Sequence, residues 1–153
     1  MKKYLFILVA MLTMSAAAFA QKGVTGFGVQ GVYDDWNGQF GIGVKLQYGL
    51  VDQLRGDLST DLFFKKKDIS MVDVNANLHY VVSVAPSFNI YPLAGANIAF
   101  FNHEIPTRLG LNLGGGIEFY VADNVKLGGE AKYIVSDNGF SRFGANFGVT
   151  FLF

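Results

Sequence analysis

Eight stretches of this chain alternate their side chains with a period of two, and one parity carries no charged residue in any of them. In 39–50 that parity reads Phe40, Ile42, Val44, Leu46, Tyr48 and Leu50, while the other holds Gly41, Gly43, Lys45 and Gln47. In 142–153 it reads Phe143, Ala145, Phe147, Val149, Phe151 and Phe153. Gly- and Asp-rich breaks set off the other stretches at 23–33, 54–64, 71–82, 88–101, 108–121 and 125–135. Successive strand side chains point to opposite faces, so the pattern predicts a sheet with one oily and one wet face. Each stretch meets the roughly 9–11 residues that a tilted strand needs to cross a membrane. The expected fold is therefore all-β: an eight-stranded, antiparallel, up-and-down transmembrane β-barrel.

Bulk decides which face points outward. A soluble small barrel packs its oily side chains inside and wears a charged coat, yet only 16% of this chain is charged. An eight-stranded barrel has an interior just wide enough to be filled by side chains. The Phe, Tyr, Leu, Ile and Val of the oily parity would overfill it. The other parity, with Gly26, Gly28, Gly41, Gly43, Gly110, Gly114, Gly116, Gly128, Gly144 and Gly148, leaves room for its longer polar neighbours. The oily face should point out, into lipid.

The first twenty residues agree with export. Lys2 and Lys3 precede an apolar run from Tyr4 to Met14, and Ala18-Phe19-Ala20 has the small-residue pattern of a cleavage site. We read 1–20 as a secretory signal peptide, with Gln21 as the mature N-terminus and 21–153 as one barrel domain. Without Lys2 and Lys3, 10 basic residues face 12 acidic ones, a formal net charge of −2. That offers no basic surface for nucleic acid. No cysteine is present to form a disulfide or a thiolate metal site. No cofactor is expected.

Eight strands put both termini on one side, and delivery from the periplasm makes that side periplasmic. The expected turns there are 51–53, 83–87 and 122–124; the expected outer loops are 34–38, 65–70, 102–107 and 136–141, rich in the Asp, Asn, Gly and Pro that turns select. Aromatic residues should gather in two interfacial belts: Tyr33, Trp36, Phe40, Phe64, Phe100, Tyr133 and Phe143 at the outer rim, and Tyr48, Tyr80, Phe119 and Phe153 at the inner one.

The terminal run Phe143, Phe147, Val149, Phe151, Phe153 resembles the C-terminal signal read by the outer-membrane barrel-assembly machinery, with Phe153 as its last residue. With the leader and the eight alternating strands, the mature chain resembles the small eight-stranded outer-membrane proteins, the group containing outer-membrane proteins A and X. That resemblance implies a protein of the Gram-negative outer membrane. The chain ends at its eighth strand, which implies no periplasmic peptidoglycan-binding domain, and its short outer loops argue against a protruding adhesive surface.

Any chemistry should sit on the inward parity, which carries Lys45, Arg55, Asp57, Asp61, Asp73, His79, Arg108, Glu118, Lys126, Glu130, Lys132 and Arg142. Charges inside a low-dielectric shell persist when paired or hydrated. Register predicts Lys45 near Asp57 and Asp61, Asp73 opposite Asp61, and His79 near Arg55 and Asp57. Glu118, Lys126, Glu130 and Lys132 should form a second group. The network reads as a salt-bridged plug in a structural or envelope-maintenance protein, or as the lining of a porin-like channel for small solutes or ions. An adhesin or a lipid A-modifying enzyme is a third reading. For the enzyme the candidates are His103, Glu104, Ser136 and Ser141, but their spacing shows no nucleophile–base–orienter set, and we expect no enzymatic activity. His79 has no second His for a metal. Lys65, Lys66 and Lys67 stand where lipopolysaccharide phosphates would lie, with a solvated loop tip as the alternative. The expected partners are outer-membrane lipid, lipopolysaccharide and the assembly machinery, with the protein a monomer.

Overall fold

The computed structural model describes residues 23–102, 104–136, 139 and 141–153; the predicted leader and Gln21, His103 and Asn138 lie outside the described residues. Eight strands follow one another: β1 (Thr25–Asp34), β2 (Gln39–Gly49), β3 (Leu54–Lys66), β4 (Ile69–Tyr80, resumed at Val82–Ala85), β5 (Phe88–Phe101), β6 (Arg108–Ala122), β7 (Val125–Ser136) and β8 (Arg142–Leu152). Each pairs antiparallel with its chain neighbour. The seam closes where β1 meets β8, with Gly26 opposite Leu152 and Asp34 opposite Gly144. The sheet thus has no open edge, the arrangement that lets strands cross lipid with their backbone groups satisfied.

Burial follows parity. Along β2 buried and exposed residues alternate without a break. Lys45 is 4% exposed, while Val44 and Leu46 on either side are 46% and 52% exposed. The outer surface is a continuous apolar band that includes Phe40, Leu62, Leu109, Leu111, Ile117 and Phe147, all exposed. No helix among the described residues is long and apolar enough to cross a membrane.

Several boundaries differ from the reading of the sequence. The third strand continues to Lys66, and Lys67 (φ 52) and Asp68 (φ 64) alone make the turn, both left-handed as a two-residue I′-type hairpin requires. The predicted loop 65–70 therefore shrinks to its tip. The fourth strand starts at Ile69 and reaches Ala85, leaving only Pro86 and Ser87 where a turn over 83–87 was expected. Its pause at Val81 falls beside Pro92 of β5, which has no N–H to give to the ladder. On the other side the Val81 N–H bonds the Gln53 carbonyl at 2.8 Å. Val82, expected outside, is buried beside the buried Val81, so strict alternation is lost across this step.

The interior is also oilier than expected. Val32, Phe63, Met71 and Ala99 form a buried cluster near the loop end of the barrel, and Ile134 is buried there too. Val81, Tyr91 and Leu93 form a second cluster nearer the terminal end. These lie among the inward-facing positions that were read as Gly, polar and charged. One barrel cross-section needs only a few large apolar groups to fill it, so they leave little mark on the overall composition.

Candidate functional site

Three tiers of polar groups fill the lumen from the loop end to the terminal end. The first is built on Arg142, at the start of β8. Its guanidinium donates to Asp34 Oδ2 at 2.7 Å, Asp73 Oδ2 at 2.9 Å and Asn97 Oδ1 at 2.9 Å. All four residues are buried. Asp34 was read as a loop residue, but it is the last residue of β1 and points inward. A bidentate-capable guanidinium suits two carboxylates held on different strands.

The second tier is mainly amide. Gln30 and Asn75 donate to the two oxygens of Asp61 at 2.7 and 3.2 Å. Asn97 and Asn112 both donate to Asn75 Oδ1, at 2.8 and 3.0 Å, and Asn112 also reaches Asn77 Oδ1 at 2.8 Å. Asn75, Asn97 and Asn112 are fully enclosed. Gly43 belongs to this tier through its missing side chain: a Cβ there would run into the Asp61 carboxylate.

The third tier centres on Tyr91, which the sequence reading passed over. Its ring lies against Gly116, its cross-strand partner, where a Cβ would have no room. It stacks on the His79 ring at 4.4 Å and 17° and lies 5.0 Å below the Arg55 guanidinium carbon. Its hydroxyl donates to Glu130 Oε2 at 2.8 Å. Arg55 lies 3.0 Å from Glu118, and Lys126 lies 2.9 Å from the same carboxylate, which also accepts from Asn89 at 3.0 Å. Register sets Arg55 opposite His79 and Asp61 opposite Asp73.

Lys45 is buried on β2. It lies opposite Ser59, between Asp57 and Asp61, and among the described residues it forms an ion pair with neither. Asp57 accepts instead from Gln47 at 3.0 Å, while Asp61 takes the Gln30 and Asn75 amides. Gln47 is the register partner of Asp57, and Gln30 and Asn75 reach Asp61 from neighbouring positions, so shorter amides take the carboxylates. Glu118 and Lys126 do pair; Glu130 instead joins Tyr91 and Asn146, and Lys132 is buried beside the space between Asp61 and Asp73.

With Asp34 included, the inward charges balance. Lys45, Arg55, Arg108, Lys126, Lys132 and Arg142 face Asp34, Asp57, Asp61, Asp73, Glu118 and Glu130, six against six. All but the half-buried Arg108 are buried.

Asp57, His79 and Glu130 could each offer one ligand atom, all within 4.8 Å of one another, a convergence the sequence did not reveal. Arg55 decides what they can hold. Its N–H groups approach His79 Nδ1 at 3.0 and 3.3 Å, so Nδ1 accepts and Nε2 carries the ring proton. His79 Nε2 lies 3.7 Å from Glu130 Oε2. A ring in that tautomer turns an N–H towards the carboxylates and has no lone pair there for a cation.

At the terminal end the packing stops. A vestibule of about 780 Å³ opens there, running from a rim that includes Val24, Pro86 and Phe153 to Arg55 and Lys126. Phe153 is exposed, and its backbone N–H bonds the Thr25 carbonyl at 2.8 Å. At the other end Lys65 is exposed, 3.8 Å from Asp68, and Lys66 donates to the Gly38 carbonyl at 2.9 Å, while Lys67 sits in the turn. Trp36 packs edge-on against Phe101 at 5.2 Å, and Tyr33 against Phe40 at 5.0 Å. Of the enzyme candidates, Ser136 gives its hydroxyl to the Leu109 carbonyl at 2.7 Å, and Glu104 lies exposed with φ 60.

Residues 6–153 match a family model described as the outer membrane protein beta-barrel domain. No curated protein matches the chain. Among solved structures, it is similar to the N-terminal β-barrel domain of OprF from Pseudomonas aeruginosa, with a TM-score of 0.73 and 16% identity over 86% of this chain and 98% of that one. Neisserial surface protein A gives a TM-score of 0.68 and 16% identity over 85% and 96%. The outer membrane protein OprG from Pseudomonas aeruginosa gives 0.67 and 13% identity over 89% and 98%.

Proposed function

Because the chain belongs to the outer membrane protein β-barrel domain family, we propose that it is a non-enzymatic structural or envelope-maintenance protein whose lumen is closed by a salt-bridged plug. In this reading 1–20 directs export, the termini and the vestibule face the periplasm, and Phe153 ends the signal for the assembly machinery. The barrel is a monomer held in outer-membrane lipid, and Lys65 and Lys67 are placed to meet lipopolysaccharide phosphates, with Lys66 tying their turn to the first loop.

The observation that carries the plug is the balanced, cross-linked interior. Six cations face six carboxylates, and an apolar cluster of Val32, Phe63, Met71 and Ala99 shares the loop end with the Arg142 tier. Ion pairs on Arg55, Lys126 and Arg142 and the packed apolar cluster support a closed path, because an eight-stranded barrel is narrow enough for side chains to fill. The test is planar-bilayer recording of the refolded protein, which should show no steady conductance. Stable single-channel steps in the wild type would overturn the plug. They would favour a small-solute or ion channel, the second reading, which the open vestibule supports by reaching as deep as Arg55 and Lys126.

A further inference from the structure

We propose that the lumen holds one structural water molecule, bound between Lys132 and the carboxylates of Asp61 and Asp73. A cavity of about 10 Å³ lies there, with Asp61, Asp73, Lys132, Gly144 and Asn146 in its lining. A space of that order admits a single water, provided two to four polar groups surround it. Lys132 is 7% exposed, and among the described residues it makes no ion pair and no hydrogen bond. Asn146 gives its amide N–H to Glu130 at 3.2 Å, while its buried Oδ1 has no partner among the described residues. A buried polar group left without a partner costs stability, and here a donor and an acceptor border one small space.

Register explains the space and the need. Lys132 lies opposite Gly144, whose missing side chain leaves room beside it, and Asp61 lies opposite Asp73. Like charges directly opposite each other repel. Arg142 holds Asp73, but Asp61 takes only the Gln30 and Asn75 amides. A water in the cavity accepts from Lys132 Nζ and has two hydrogens for Asp61, Asp73 or Asn146 Oδ1. Each carboxylate oxygen keeps a second lone pair to receive one. Such a bridge is nearly as favourable as a direct bond. The inward charges already balance six against six, so a neutral molecule fits where an added ion would upset the balance. One enclosed water held on all sides is a filler of the plug and no passage through it.

Gly144→Ala tests the site by the sign of its effect. The added methyl would stand 3.5 Å from Ile134 Cδ1, 3.7 Å from the Tyr33 carbonyl oxygen and 3.8 Å from Lys132 Cε, ordinary contacts that push nothing aside. Filling a dry cavity, or replacing Gly by Ala at a compatible position, stabilises a protein; displacing a bound water strands Lys132 and destabilises it. The urea midpoint of the full mature barrel in lipid vesicles should therefore fall. Gly129→Ala is the control: Gly129 lies between the exposed Ile117 and Phe147, and its added carbon also meets only ordinary contacts, at 3.5 and 3.7 Å. Its midpoint should hold or rise. A crystal structure of the wild type grown in rubidium bromide should show one oxygen peak within hydrogen-bond distance of Lys132 Nζ and a carboxylate, without anomalous signal. The proposal fails if no peak stands there, if the peak is an ion, or if Gly144→Ala lowers the midpoint no more than Gly129→Ala. A wild type that conducts yet keeps the peak strikes the plug alone, and a silent barrel without the peak strikes the water alone.

Discussion

Replacing Arg142 with Met removes the cation that joins Asp34, Asp73 and Asn97, and leaves two carboxylates facing each other in an enclosed space. Arg142 and Asp34 are 2% and 1% exposed, with Met71 and Ile134 buried close by, so water has no ready route to take over the lost contacts. Breaking a buried pair by deleting one partner costs about 3–5 kcal/mol, because the remaining charge is left uncompensated. Folded proteins are stable by only about 5–15 kcal/mol, so Arg142→Met should remove a large part of the margin. Replacing all three charges, as Arg142→Met with Asp34→Asn and Asp73→Asn, removes every charge of the Arg142 cluster and should recover most of the loss. Equilibrium urea unfolding in lipid vesicles measures both, followed by the emission of Trp36, the only tryptophan, and by the mobility of unheated samples on gels. Trp36 N–H bonds Asp34 at 3.0 Å, so the gel is needed as a probe remote from the change. A cost below about 1 kcal/mol, the level of an exposed ion pair, would mean that water reaches this tier, and the closed lumen would be wrong.

Two further outcomes follow from the same packing. Val44→Arg places a charge on the lipid face and should destabilise by about 2–4 kcal/mol in the same unfolding assay; its neighbour Gly43→Ser should also destabilise, because the added Cβ displaces Asp61 from Gln30 and Asn75, and a neutral result would misplace the inward face of β2. Tyr91→Phe removes one donor from the buried Glu130 carboxylate and should cost about 1–3 kcal/mol by urea titration, whereas an unchanged midpoint would mean that Glu130 is satisfied without it.

The fold was legible because parity is a local property. Val44 out and Lys45 in can be read from two adjacent letters, and register across a short turn then sets Arg55 beside His79 and Asp61 beside Asp73. The working contacts of the lumen are not local. Asp34 and Arg142 are 108 residues apart, and Arg55 and Glu118 are 63 apart on strands that are not neighbours in the sheet. Such pairs depend on the circumference of the closed barrel and on the reach of long side chains across it, neither of which alternation encodes. Asp34 was misread because an Asp beside Asp35, Trp36 and Asn37 has the composition of a turn. Tyr91 was passed over because one aromatic residue on a wet face looks incidental until Gly116 is seen to make room for its ring.

The meeting of β1 with β8 also bears on how such a chain is made. The barrel has two free edges until its last strand arrives, and free edges invite pairing with the wrong partner. Arg142–Leu152 is therefore a clasp, and Arg142 reaches across the seam to Asp34 as its pin. A chain that stops short of residue 142 has seven strands and nothing for its first strand to close on. For this molecule the eleven residues of β8 separate a closed barrel from an open sheet.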